Sequence, residues 1–367
     1  MSKIQIKLAI TTALSSILIA CGSSSDTTTK NYKETISTDQ AVTQIINLSV
    51  IPTVDNFQQQ TQKLVTDVDT LCADINENNL TAAQSQWKNT AEAWFQYLPF
   101  HLGPSNNSPD LIEPEFIFID SLRLRGINYT DTVRNDLAAE INKSDPVDPA
   151  IFASKNFQRV GLLAAEVALF ERSSDQSQAL ADIVGDYSAN TNKCNALKGY
   201  AQQLAKRADN IQQSWKVDYK NSGSSFRDLF LNGTLSTVPN EKDTAADAQL
   251  ILSTNEYMDY VHKRTIINDA GVLANHSWQL VNTALLSFEK MVEGTTGTTV
   301  SFADLMQVNA AGDLTTLRNN ISRVKQTIAD ENEVDFYAAT LTLDGNIKRE
   351  LKNGLGISVG LNFSDGD

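Results

Sequence analysis

The sequence predicts an all-α protein, most simply two helical bundles packed together, with an irregular segment around residues 99–129. Three observations carry this expectation. Apolar residues recur at three- and four-residue steps from Thr38 nearly to the C-terminus, the period of a helix with one buried face. Convincing strand-like alternation is scarce. Most breaks are short and rich in Pro, Gly, Ser or Asn, as helix connections are. Up-and-down bundles are the simplest architecture that buries such faces.

The first 20 residues read as a leader. Lys3 and Lys7 precede an apolar run from Leu8 to Ala20, which suits a signal-peptide core and is short for a bilayer span. The run ends in Leu18-Ile19-Ala20-Cys21-Gly22, similar to a bacterial lipobox, in which the Cys is acylated and becomes the mature N-terminus. Gly22, rather than Asp, implies an outer-membrane anchor. The alternative is a plain secretory signal with an incidental Cys. Two or three acyl chains anchor stably, whereas one is marginal. Residues 21–35 are polar and Ser/Thr-rich, a flexible tether between lipid and fold.

Helices follow in order. Val42, Ile45, Ile46 and Val50 lead to Pro52, which should kink or restart the first helix. Val54, Phe57, Leu64, Val68 and Leu71 continue it. A second helix runs through Trp87, Ala91 and Trp94, with Thr81 as its expected N-cap. Pro99, Gly103, Pro104, Pro109 and Pro114 then break the chain. Further helices are expected at 130–142, 150–172 and 176–219, with an interruption near Asn190. Residues 221–225 resemble a hinge, dividing an N-terminal bundle (36–222) from a C-terminal one (223–367). The second set is expected at about 243–262, 276–293, 301–308, 312–330 and 335–353.

Charge and composition narrow the function. The 367 residues carry 30 Lys and Arg against 44 Asp and Glu, a net charge of −14. Removing Lys3 and Lys7 with the leader takes this to −16. Such a chain has little with which to displace counterions from nucleic acid, so no nucleic-acid partner is expected. HExxH, CxxC, GxSxG and Walker-type motifs are missing, so the common zinc proteases, elbow-type serine hydrolases and P-loop enzymes lack their signatures. His101, His262 and His276 are the three histidines. A multi-His metal site would need nearly all of them in one place. Cys72 and Cys194 remain once Cys21 is acylated, and in an oxidising compartment they either pair or stay as buried thiols.

Glu166 stands out. Val160-Gly-Leu-Leu-Ala-Ala-Glu-Val-Ala-Leu-Phe170 is apolar apart from this residue, and a helix apolar on all sides is buried. An unpaired ionised carboxylate there is costly. Positions 162, 163, 169 and 170 are Leu, Leu, Leu and Phe, so its own helix offers no partner. Three readings stand. Glu166 is a structural carboxylate tied to the irregular segment through Arg123, Arg125 or His101, a binding-site carboxylate, or an exposed edge residue. Gly161 would let another backbone approach closely.

The stretch Gly161-Leu-Leu163-Ala-Ala-Glu166 resembles the GxHxxE segment of the imelysin family, whose members include proteins described as insulin-cleaving membrane proteases and iron-regulated lipoproteins. Val50-Ile-Pro52 through Leu71-Cys72-Ala73 is similar to the family's first helix. Trp87, Trp94 and Gly103-Pro104 resemble its second helix and following turn, and Leu355 to Asp367 its ending. The resemblance implies a two-domain all-helical fold with a site between the domains. Glu166, Gly161, Leu163, His101 and Arg125 are the expected binding set. It also implies iron, another divalent metal or haem as ligand, and envelope iron-uptake proteins as partners. The residues themselves name none of these.

The departure from the family pattern is Leu163. His and Glu three positions apart share a helix face and can jointly hold a metal, and Leu supplies no lone pair. Arg123-Leu-Arg-Gly-Ile-Asn-Tyr129 also lacks the family's Trp-Pro. The expected function is therefore a non-enzymatic, envelope-anchored binding protein linked to iron or haem acquisition. The alternatives are a structural or protein-interaction lipoprotein without small ligand and, less in keeping with Leu163, a metallopeptidase.

Overall fold

The fold opens with helix α1 (Thr38–Ile45), which passes through a π-helical turn (Ile46–Val50) into α2 (Ile51–Ala73). The computed structural model describes residues 37–106, 114–121, 127–263 and 266–357. Leader, tether and Cys21 lie outside them, as do Arg123 and Arg125. Pro52 takes the second position of α2, where a missing N–H costs least, directly after the widened turn.

Helix α3 (Glu77–Tyr97) starts a turn before the expected Thr81. Asn76 is its cap, with Oδ1 accepting from Asn79 N at 2.9 Å. Thr81 Oγ1 instead donates to the Glu77 carbonyl. Asn caps at least as well as Thr and stands just after the break at Asp74. Beyond it the chain crosses through short 3-10 turns and α4 (Glu115–Ile119), then α5 (Thr130–Ile141).

The helix expected over 150–172 forms only as α6 (Gly161–Phe170). Residues 149–154 and 157–159 are 3-10 turns instead. Asp148 caps the first through Ala150 N, and Val160 is extended before Gly161 turns to φ +86. The expected 176–219 helix divides into α7 (Leu180–Ala189) and α8 (Thr191–Lys216) at Asn190, whose side chain caps α8. Gln176, at φ 62, lies before α7 begins.

Residues 217–225 form a turn with Lys220, Asn221 and Gly223 at positive φ, closed by Tyr219 N donating to the Ser224 carbonyl. Then follow α9 (Phe226–Leu231), α10 (Ala246–Lys263), α11 (Ile266–Asp269), α12 (Ser277–Glu293), α13 (Phe302–Asn309), α14 (Ala311–Ala329), α15 (Glu333–Asn346) and α16 (Lys352–Leu355). A second π-helical turn, Ile347–Leu351, joins the last two. There is no strand among the described residues, and no helix among them is long and apolar enough to cross a membrane.

Helix α2 packs on α3 and α8, α6 on α8 and α3, and α14 and α10 on α15. Helix α12 packs on α3, so segments before and after residue 222 meet directly. Trp87, Trp94, Tyr97 and Trp215 are fully buried in this core. Their polar edges are satisfied: Trp215 Nε1 donates to Tyr97 Oη at 2.9 Å and Trp87 Nε1 to the Leu162 carbonyl at 2.9 Å. A disulfide joins Cys72 to Cys194, Cα atoms 5.7 Å apart. It ties the end of α2 to the start of α8.

Candidate functional site

Helix α6 is buried along its whole length, as its apolar sequence requires. At its start, a Cβ on Gly161 would lie 2.6 Å from the Phe118 carbonyl oxygen and 2.7 Å from that of Ile119. Only glycine accepts both that contact and φ +86. The end of α4 therefore rests directly on the start of α6. Trp87 reaches over from α3 to the Leu162 carbonyl, so α6 is held at a defined depth.

Glu166 is 2 % exposed. Its Oε1 accepts from Ala274 N at 3.0 Å, and the Leu273 N–H also points at the carboxyl group. Both donors belong to a turn between α11 and α12, in which Gly271 and Asn275 have positive φ. Burial raises the Glu166 pKa to about 8, the two backbone donors offset only part of that, and the Glu171 charge adds to it. Glu166 is thus mainly protonated at neutral pH. In that state the carboxyl group is both a donor and an acceptor.

Two cavities meet at Glu166 and Leu163, which line both. The inner one holds about 20 Å³ between Trp87, Phe95, Asp120, Ser121 and Leu280, room for a single water molecule. The outer one is a cleft of about 300 Å³, bounded by Asn128, Asp131, Arg134, Asn268, Asp269 and Leu273. Arg134 is held on the cleft wall by a bidentate pair with Glu171 (2.8 and 2.6 Å) and by Asp131 at 2.9 Å. Asn128 Nδ2 donates to Asp269 Oδ1 at 3.0 Å across the rim.

Of the residues that the sequence nominates, Glu166, Gly161 and Leu163 come together and His101 does not. His101 is fully buried, with Nδ1 2.7 Å from the Leu98 carbonyl and Nε2 2.8 Å from Glu256 Oε2. Among the described residues, Glu166 finds its partners on the turn before α12 and not in His101, because two backbone N–H groups reach it there; Arg123 and Arg125 lie outside the described residues. The exposed-edge reading of Glu166 is corrected by its burial, and the tie through His101 by that ring's pairing with Leu98 and Glu256. His276 pairs with Glu92 at 2.7 Å.

Sequence reasoning missed the turn 270–276 and Asp120. The latter accepts from Trp94 Nε1 at 3.2 Å and Tyr260 Oη at 3.3 Å, joining α3, α4 and α10 at the inner cavity. The available signal was Gly271 and Asn275 in a break between helical patterns.

The Imelysin family model matches residues 50–349. The chain belongs to the imelysin family. Two solved structures share the fold of this imelysin. An imelysin-like protein from Psychrobacter arcticum 273-4 has a TM-score of 0.65 at 16% identity, covering 88% of this chain and 96% of its own. A "putative iron-regulated protein A precursor" from Parabacteroides distasonis ATCC 8503 also has a TM-score of 0.65, at 15% identity, covering 86% of this chain and 94% of its own. Among curated proteins, none matches this sequence significantly.

A metal does not fit at Glu166. Leu163 stands where the motif has its His, the carboxyl group takes two backbone donors, and its raised pKa keeps it neutral. Among the described residues, Glu166 belongs to no group of three His, Cys, Asp or Glu with donor atoms within 4.8 Å of one another. A metal ligand must be deprotonated, so a metal here would first have to displace the proton that burial favours. What the arrangement can do is present a neutral carboxyl group to a cleft lined by polar and apolar side chains.

Proposed function

We propose that this imelysin is a non-enzymatic, lipid-anchored envelope protein of iron-related physiology, which binds an organic ligand in the Glu166 cleft. The observation that carries this reading is a protonated carboxyl group, 2 % exposed, at the floor of a cleft of about 300 Å³. Buried polar groups placed to fix an otherwise apolar contact are the usual makings of a small-molecule site. The iron link is supported by the family and by the name of the Parabacteroides protein. The anchor is supported by the leader pattern ending at Cys21.

The ligand class that suits the cleft is haem or an organic ferric chelate rather than the bare ion. Such a ligand presents oxygen acceptors to Glu166 and apolar surface to Leu163, Val272 and Leu273. Thermal melts with haem, ferric citrate and ferrous ion test this. Binding of a ligand only to the folded state raises the melting temperature as concentration passes its dissociation constant. Haem or ferric citrate should raise it for wild type and much less for Glu166→Leu. No response to either organic complex, or an equal response in Glu166→Leu, would contradict the assignment.

A further inference from the structure

The geometry points to a second site, sharing no lining residue with the Glu166 cavities, where Asp259, His262 and Asp344 bind one divalent transition-metal ion. Each offers a donor atom, and the three atoms lie within 4.8 Å of one another. Asp259 and His262 are three apart on α10, so they share a helix face. Asp344 comes from α15, which packs on α10. His262 Nδ1 is 2.9 Å from the Met258 carbonyl oxygen. That oxygen can only accept, so Nδ1 carries the proton and Nε2 is the nitrogen that would bind the metal. A backbone carbonyl on one ring nitrogen is the usual support for a metal on the other.

Asp344 supplies an independent observation. Its side chain is 6 % exposed, and its Oδ1 is buried with no hydrogen-bond partner. Buried carboxylate oxygens are ordinarily satisfied, and an orphan one calls for an explanation. Its Oδ2 accepts from Lys348 Nζ at 2.7 Å, and the same ammonium lies 3.5 Å from Asp259 Oδ1. Two carboxylates thus share one ammonium in the empty state. A dication would satisfy the orphan oxygen and both carboxylates together. Lys348 leads the π-helical turn Ile347–Leu351 with Ile347, a rare feature often found at functional sites.

One imidazole with two carboxylates suits Zn²⁺, Fe²⁺ or Mn²⁺ better than Mg²⁺ or Ca²⁺, which favour oxygen alone. Water would complete the coordination. Lys348 acts as a built-in competitor, so its removal should favour the metal.

Calorimetric titration of the chelator-treated chain with Zn²⁺ is the test. One equivalent should bind to wild type, and His262→Gln and Asp344→Asn should each weaken it by about tenfold or more, the scale typical of metal-site changes. Lys348→Met keeps all three ligands and should tighten binding, which guards against loss through misfolding. Glu166→Gln should leave it unchanged. The proposal fails if wild type takes up no Zn²⁺, or if binding survives both ligand substitutions. It also fails if Lys348→Met weakens binding, if Glu166→Gln abolishes it, or if Ca²⁺ displaces Zn²⁺ at equal concentration.

Discussion

Lys193 and Glu166 are both deeply buried ionisable side chains, and the protein treats them in opposite ways. Lys193, fully buried on α8, donates to Asp186 Oδ2 at 2.7 Å and to the Glu171 carbonyl at 2.8 Å. Its ammonium also lies 4.6 Å from the centre of the Tyr187 ring. Burial pushes the Lys193 pKa down and Asp186 pulls it back. Burial likewise pushes Asp186 up, yet the bonds from Lys193 and Ser173 hold it below its ordinary value. That pair is charged and closed. Glu166 has two backbone N–H groups, no counter-ion among the described residues, and a cleft in front of it. A buried charge with a full set of partners is structural, whereas a buried acid left neutral beside open space is poised to bind.

Substitutions sharpen this contrast. Lys193→Met should cost most, about 3–5 kcal/mol, because Asp186 loses its ammonium while still half-buried. Chemical denaturation at pH 7 reads this directly. Gly161→Ala should cost about 2–3 kcal/mol, since the new methyl meets the Phe118 carbonyl and φ is positive. The same variant should loosen the cleft, visible as faster amide exchange in α6.

Leu163→His should cost about 1–3 kcal/mol without metal, as a polar ring enters a buried apolar place. Measured in a His262→Gln background, it should gain thermal stability from Zn²⁺ where its Leu163 parent does not. Gain in the parent would show that the cleft binds metal despite Leu163. The smallest effect is Trp87→Phe, about 1 kcal/mol for the lost bond to the Leu162 carbonyl.

Much of the helical scaffold was legible because its signals are local. Helix α12 runs Ser277–Glu293 where periodicity places it, ending at Gly294 with φ 88. Glu166 was conspicuous because α6 is otherwise wholly apolar. Its partners were not, since the Leu273 and Ala274 N–H groups leave no side-chain signature and lie over a hundred residues away. Lys193 also escaped notice. It sits among Asn192, Cys194 and Asn195 at a helix start, where lysine is ordinarily solvated, and the packing of α6 and α7 against α8 buries it. The 3-10 turns at 149–159 carry apolar spacing that a helix would share, so their pattern does not separate the two.

The central claim is that Glu166 is a neutral acid in the folded protein, and its linkage to pH tests it. The folded pKa of about 8 lies above the ordinary 4.5. Its contribution to stability is therefore fully present below pH 4.5 and is lost as pH rises through 8. Urea denaturation of wild type and Glu166→Gln from pH 5 to 9.5 should show wild type losing about 1.4 kcal/mol more per pH unit until pH 8. Above that the two curves should run parallel. Curves parallel throughout would mean an ionised, paired Glu166 and contradict the account.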